Sequence, residues 1–286
     1  MPELPEVETV TRGLRTVMEN SSFVQVELRR ENLRIPFPHG FSERLEGRTV
    51  TSLWRRAKYI LGELDSGEAL LMHLGMSGRF TIAEPSSAQA AGEPGRHDHV
   101  VFHMRNGSVI TYTDPRRFGL MTLIKAGEMQ DHRLLKDIGI EPLGNELSGA
   151  FISGRFEARK ANLKAALLDQ KIIAGLGNIY VCEALYRSQL SPLRQAATLA
   201  TSKSKGLTRA EDLAAAIRNV LNDAVSAGGS SLNDYLQTDG ELGYFQHNFD
   251  VYGREGEKCR REKCSGTIKR IVQSGRSSFY CPVCQH

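Results

Sequence analysis

The chain has 286 residues, with 37 Lys+Arg against 33 Asp+Glu for a formal charge of +4, and is 40% hydrophobic and 24% charged. Those are globular proportions, and they exclude a collagen, a coiled-coil rod and a fully disordered chain. No apolar run approaches the ~18 residues of a membrane span, and the opening MPELPEVETV lacks the basic start and apolar stretch of a secretory signal, so a cytoplasmic chain of two or three domains with no membrane partner is expected.

Residues 5–20 are predicted to be a helix. Pro5 suits its first position, Glu6 and Glu8 suit its first turn, and Val7, Val10, Leu14, Val17 and Met18 form one face. Seven strand-like runs follow, at 24–28, 49–54, 59–64, 69–74, 100–104, 108–112 and 120–124. Ser66-Gly67 and Asn106-Gly107 supply turns between them. Short strands with little helix between them predict a β-sandwich. Residues 84–96 are expected to form an exposed loop. Beyond about residue 130 the period becomes helical, over 155–190 and 209–227. Thr208 and Glu211 form a capping box and Gly228-Gly229 a stop for the second of these helices. Residues 229–256 are polar, Gly-rich and aromatic, a long connection of the kind that is functional or mobile.

The charge gathers at the end. Residues 253–286 carry eight Lys/Arg and three Glu, which is +5 and leaves the other 252 residues at −1. Four of the five cysteines lie there too: Cys259, Cys264, Cys281 and Cys284, spaced C-x4-C, sixteen residues, C-x2-C. Two thiolate pairs at this separation can share one tetrahedral zinc, with a β-hairpin between them. Disulfides fit poorly with an odd cysteine count and no signal peptide. Ile268, Ile271 and Val272 indicate one strand, Ser274–Arg276 the turn, and Phe279-Tyr280 the return. Cys182 stands apart in a helical stretch and reads as a buried thiol.

Other strings could carry chemistry. Loss of Met1 would make Pro2 the N-terminus, and an α-amino group titrating near ~8 keeps a usable unprotonated fraction at neutral pH. Such a secondary amine can attack a sugar C1′ and give an iminium electron sink, with Glu3 beside it to move protons. GLGNIY (175–180) either starts a helix in the ordinary way or offers backbone N–H groups to a phosphate. DPRRFG (114–119) reads as a solvated turn with Phe118 packed inward, or as a clamp that wedges into a base stack. Met76 in HLGMSG reads as core. His97, His99 and His103 share a strand face, but no further ligand completes a metal set.

Taken in order along the whole chain, MPELPEVETV, HLGMSG, HDHV, YTDPRRFG, GLGNIYVCEAL and GRSSFYCPVCQ resemble the bacterial formamidopyrimidine-DNA glycosylases. The resemblance implies an α+β fold: a β-sandwich with flanking helices carrying the N-terminal proline (1–135), a helical helix-two-turns-helix domain (136–229), a lesion-recognition loop (230–252) and a β-hairpin zinc finger (253–286). It implies a monomer near the bacterial nucleoid, with one structural Zn2+. This enzyme would excise 8-oxoguanine and formamidopyrimidines from double-stranded DNA, then nick the strand by β,δ-elimination. Pro2 would form the Schiff base, and Glu3 would protonate the deoxyribose ring oxygen. Lys58 would move a proton and contact phosphate. Arg276 would grip phosphates and assist δ-elimination.

His97, Arg116, Arg159 and Asn178 match DNA-contacting positions, and Lys164 a lysine that handles the oxidised purine. Met76, Arg116 and Phe118 match the triad that fills the gap left by the flipped base, and residues 230–244 match its lid. One departure is the C-x4-C at Cys259 and Cys264, where the family usually has C-x2-C; a wider knuckle is expected, with zinc still bound. The alternatives are an endonuclease VIII-like glycosylase for oxidised pyrimidines and a damage-binding protein without catalysis.

Overall fold

A computed structural model describes residues 1–83, 85, 95–200, 204–230, 237–238 and 242–286. Most of the expected 84–96 loop and much of the expected lid lie outside the described residues. The chain divides into two compact units, 1–136 with 227–244, and 137–226 with 245–286. No helix among the described residues is long and apolar enough to cross a membrane.

The first unit begins with α1 (Leu4–Met18). Its start is fixed by Pro5 and by a capping box in which the Glu3 amide donates to Glu6 Oε2 at 2.8 Å. Two antiparallel four-stranded sheets follow. One has the order β1 (Phe23–Leu28), β6 (Asp98–Met104), β7 (Val109–Thr113), β5 (Arg79–Ala83). The other runs β2 (Val50–Arg56), β3 (Tyr59–Leu64), β4 (Ala69–His73), β8 (Leu120–Ile124). Val26, Phe102 and Ile110 of the first sheet meet Leu53, Ile60, Leu70 and Met121 of the second in one core, and Val7, Val10, Leu14 and Met18 of α1 belong to the same core. The outer face of the second sheet is covered as well, by Met129, Leu134 and Leu135 against Leu61, Leu71 and Leu120. Burial on both faces explains why β4 reads as a continuous apolar run.

The predicted sandwich is therefore present with eight strands. The one not foreseen, β5, is an edge strand whose only buried residue is Phe80, so it carries little alternation. The short α2 (Phe41–Leu45) was also not foreseen.

The second unit packs α3 (Gly149–Phe156), α4 (Leu163–Leu167), α5 (Asn178–Arg187) and α6 (Ser204–Ser226). The helix expected over 155–190 is thus broken into pieces. Ala158 takes a left-handed φ of 57°, and the Asn162 side chain caps α4 by accepting from the Ala165 amide. Gln170 then holds the next turn, accepting from the Gly175 amide and donating to the Leu168 and Leu176 carbonyls. The last helix begins five residues earlier than predicted, so Thr208 lies inside it. Its stripe of Leu213, Ile217, Val220, Leu221 and Ala224 is buried as expected.

The tail forms a hairpin of β9 (Lys269–Gln273) and β10 (Arg276–Tyr280), closed by Ser274-Gly275 with φ of 49° and 74°. Positive φ at both turn residues is the type I′ pattern that matches strand twist. Arg276 therefore opens β10 and is not part of the turn.

Candidate active site and metal centre

Pro2 and Glu3 are both buried, immediately before α1. Glu3 is the residue before the first helical turn. Glu6 does two jobs there: besides the Glu3 amide, its Oε1 accepts from the Ser230 amide at 2.8 Å and hydroxyl at 3.0 Å. This pins the start of the 230–244 segment to the start of α1. Lys58 lies in the two-residue β2–β3 turn after Ala57, whose φ is 55°. Glu8 of α1 accepts from Arg55 Nε at 3.0 Å, and Arg55 Nη1 donates to the Ala57 carbonyl at 2.9 Å. The Lys58 turn is thereby held at the same end of the sandwich as Pro2 and Glu3.

A second set gathers at one buried carboxylate. Asp114 Oδ1 accepts from Ser77 Oγ at 2.6 Å; its Oδ2 accepts from the Gly119 amide at 2.8 Å and the Tyr112 hydroxyl at 3.2 Å. Ser77 Oγ in turn accepts from the Arg116 amide. Asp114 thus ties HLGMSG to DPRRFG. The loops touch backbone to backbone: a Cβ on Gly75 would lie 2.3 Å from the Gly119 nitrogen, and one on Gly119 would lie 2.8 Å from the His73 carbonyl oxygen.

Met76, Arg116 and Phe118 stand on this joined platform, with the Arg116 guanidinium 5.0 Å over the Phe118 ring. Met76 is 37% and Phe118 44% exposed, so the readings of Met76 as core and Phe118 as packed inward are both wrong. His97 directly precedes β6, and its carbonyl accepts from the Asp114 amide. His99 is buried against the Asp114 carbonyl, and His103 pairs with Glu27 at 2.7 Å, so the three histidines serve separate contacts. His73, whose Nδ1 accepts from the Gly75 amide, is held down to about 4 by burial, then by Lys58 and Arg34.

In the second unit Lys164 is nearly inaccessible, and its Nζ donates to the Ser277 carbonyl at 2.8 Å and Ser278 Oγ at 2.6 Å. Asn178, the first residue of α5, donates to the same Ser277 carbonyl at 2.9 Å. Both side chains hold β10 one residue past Arg276. Arg159 pairs with Asp169 at 3.1 Å. Glu183 went unnoticed in the sequence. It is fully buried and accepts from the amides of Asp250, Val251 and Tyr252, and its carboxyl is raised by burial against the pull of those bonds. An acidic residue inside an apolar helix face is the signal that could have found it.

Cys259, Cys264, Cys281 and Cys284 bring their sulfurs within 4.8 Å of one another, with 3.8 Å and 3.7 Å for the Cys259–Cys284 and Cys264–Cys281 pairs. Thiolates about 2.3 Å from a tetrahedral zinc have sulfurs roughly 3.8 Å apart, so the set fits one structural zinc with no open position. Its proton chemistry fits as well. Burial pushes the Cys259 thiol up, but bonds from the Tyr186 hydroxyl and the Arg261 amide outweigh this and bring it to about 7; burial and the neighbouring Cys281 push Cys284 up to about 12. Four sulfurs this close can all ionise only around a cation. The C-x4-C knuckle closes through the Cys264 amide to the Arg261 carbonyl, with Lys263 at φ 60°. Among the described residues this is the one such ligand group, and Cys182 is buried in α5 outside it.

Comparison with known proteins agrees along the whole chain. Residues 1–121 match the family model of the formamidopyrimidine-DNA glycosylase N-terminal domain, 138–235 that of its H2TH domain, and 256–286 that of the zinc finger found in FPG and IleRS. Formamidopyrimidine-DNA glycosylases of Bradyrhizobium sp. (strain ORS 278) and Beijerinckia indica are 56% and 58% identical, each over 100% of both chains. The crystal structure of the MutM (FPG) protein of Thermus thermophilus is similar with a TM-score of 0.83 at 37% identity, over 99% of this chain and 98% of that one. A Lactococcus lactis FPG mutant in complex with Fapy-dG-containing DNA is similar with a TM-score of 0.86 at 31% identity, over 100% of each. The chain belongs to the formamidopyrimidine-DNA glycosylase family.

Proposed function

We propose that the protein excises oxidised purines, 8-oxoguanine and formamidopyrimidines, from double-stranded DNA and then cleaves the strand at the abasic site. The observation that carries this reading is the buried Pro2-Glu3 pair at the start of α1, with the Lys58 turn fixed to the same end through Glu8, Arg55 and Ala57. The Pro2 amine attacks C1′ and forms a C–N bond as the C1′–base bond breaks. Glu3 delivers a proton to the ring oxygen, so the C1′–O4′ bond opens and an iminium remains. The iminium acidifies the C2′ proton, and its loss drives β-elimination of the 3′ phosphate. Lys58 serves that proton transfer and the phosphate. Arg276 serves the phosphate and the δ-elimination that follows.

Base removal requires the nucleotide to leave the stack, which costs a few kcal/mol. Met76, Arg116 and Phe118 fill the gap, and the two tied loops supply them already ordered. Arg116 reads the opposite cytosine. His97, Arg159 and Asn178 contact the DNA backbone. Lys164 acts through the β10 backbone that carries Arg276. Residues 230–244 serve lesion recognition, and the protein works as a monomer in the bacterial cytoplasm.

Borohydride trapping tests the mechanism. Wild-type protein gives a covalent complex with 8-oxoguanine duplex and Pro2→Gly gives none; equal trapping by the two ends the Pro2 assignment. Excision of 8-oxoguanine should exceed that of thymine glycol, and the reverse preference favours the endonuclease VIII-like reading. Retention of Met1, seen by mass spectrometry together with no trapping, favours a non-catalytic damage binder.

A further inference from the structure

Beside the wedge platform lies an open hollow of about 470 Å³ that none of the assigned roles uses. Arg29 and Arg30 enter it from the end of β1, Arg96 from the turn leading into β6, and Arg117 from the loop after Asp114. Arg30, Arg96 and Arg117 are exposed, and their guanidinium groups make no hydrogen bond or ion pair among the described residues. Arg29 is 3.6 Å from Glu27. Among the described residues the acidic groups facing the hollow are Glu31 and Asp98, and Asp98 is tied into the wall by the Gly95 amide at 2.7 Å and Thr113 Oγ1 at 2.6 Å. Unpaired guanidinium groups converging from three segments form a site for phosphate oxygens.

The backbone adds a second observation. Arg117 has a φ of 56°, in the region where glycine is at ease and a long side chain is not. This turn sends successive side chains apart. Arg116 stacks on Phe118 on the wedge side, and Arg117 faces the hollow. A strained arginine kept between two wedge residues points to a use for its guanidinium group.

We propose that this hollow binds backbone phosphates of the strand opposite the lesion, next to the base that Arg116 reads. The assignment rests on the DNA-repair reading above. It explains how a body of near-neutral charge can hold the strand that the catalytic residues do not touch.

The test is anisotropy titration of a duplex carrying an abasic-site analogue, over a range of salt, with wild type, Arg30→Gln, Arg96→Gln and Arg117→Gln. Each glutamine variant should weaken binding and lower the slope of log K against log salt by about 0.9 for each phosphate no longer held. Arg117→Lys, which keeps the charge on the same backbone, should retain the slope. Methylphosphonate linkages on the opposite strand should weaken the wild type and have little effect on the variants.

Unchanged slopes in folded variants overturn the proposal. So does methylphosphonate sensitivity confined to the lesion strand, or a loss of inorganic-phosphate binding in the variants with DNA binding intact. If wild type itself fails to bind the duplex, the DNA-repair reading fails instead.

Discussion

Asp114 is fully buried and spends its two carboxylate oxygens on three donors from three places, Ser77, Tyr112 and Gly119. Asp114→Asn turns an amide NH2 toward donors it cannot satisfy. Hydrogen bonds to charged groups contribute ~1.5–3 kcal/mol, so denaturant unfolding should show a loss of about 2 kcal/mol. Because Ser77 also receives the Arg116 amide, the same variant should loosen the wedge and weaken binding to lesion duplex more than to undamaged duplex. Equal weakening on both would make Asp114 a purely structural residue. Lys164 makes a parallel case in the second unit. Lys164→Met keeps an unbranched side chain of nearly the same length but leaves Ser277 and Ser278 short of a donor. Strand cleavage by δ-elimination should slow with base excision little changed, since the effect passes through Arg276; an equal loss of both activities would place Lys164 at the base.

At the scale of elements, the β4–β5 connection depends on an uncharged imidazole. His73, at the end of β4, must be neutral to accept the Gly75 amide, and burial with Lys58 and Arg34 holds it at about 4. The unfolded chain titrates near 6.5. Between those values the unfolded state binds a proton that the folded state refuses, so stability falls as pH drops from 6.5 toward 4. The full loss is about 3 kcal/mol at ~1.4 kcal/mol per unit. His73→Gln should flatten that part of the urea midpoint profile, and an unchanged profile would assign the acid sensitivity elsewhere.

Such couplings were not legible in the sequence. The alternation and turn residues predicted seven of the eight sandwich strands, the motif spacing predicted the hairpin, and the proline and acidic turn predicted α1. What escaped depends on distant partners: β5 is an edge strand with one buried side chain, and the 155–190 helix is broken by Asn162 and Gln170 side chains that compete for backbone groups. Met76 and Phe118 have the composition of core residues and stand outside it, on loops tied together by Asp114.

For the whole molecule, the +4 conceals a +5 tail of 34 residues held by few apolar contacts. Its cluster is Ile268 and Phe279 packed with Val251 on Cys182 and Tyr186 of α5, with the zinc thiols among them. The sandwich core, by contrast, includes no tail residue. A structural zinc supplies ~10–16 kcal/mol of folding free energy in small fingers. Chelation should therefore release one zinc per chain and open the arginines and lysines of 258–276 to trypsin, while the thermal transition of the sandwich stays in place. Arg276 opens the second strand of that hairpin, so lesion-duplex affinity and strand cleavage should fall together, and zinc should restore both. The C-x4-C knuckle sharpens the measurement. Deleting Arg260 and Arg261 to give C-x2-C removes the amide bond to Cys259 Sγ and the Arg261 guanidinium bond to the Tyr186 carbonyl. Zinc should then dissociate faster than from wild type, and an equal or slower rate would show that the longer knuckle adds nothing to the hold on the metal.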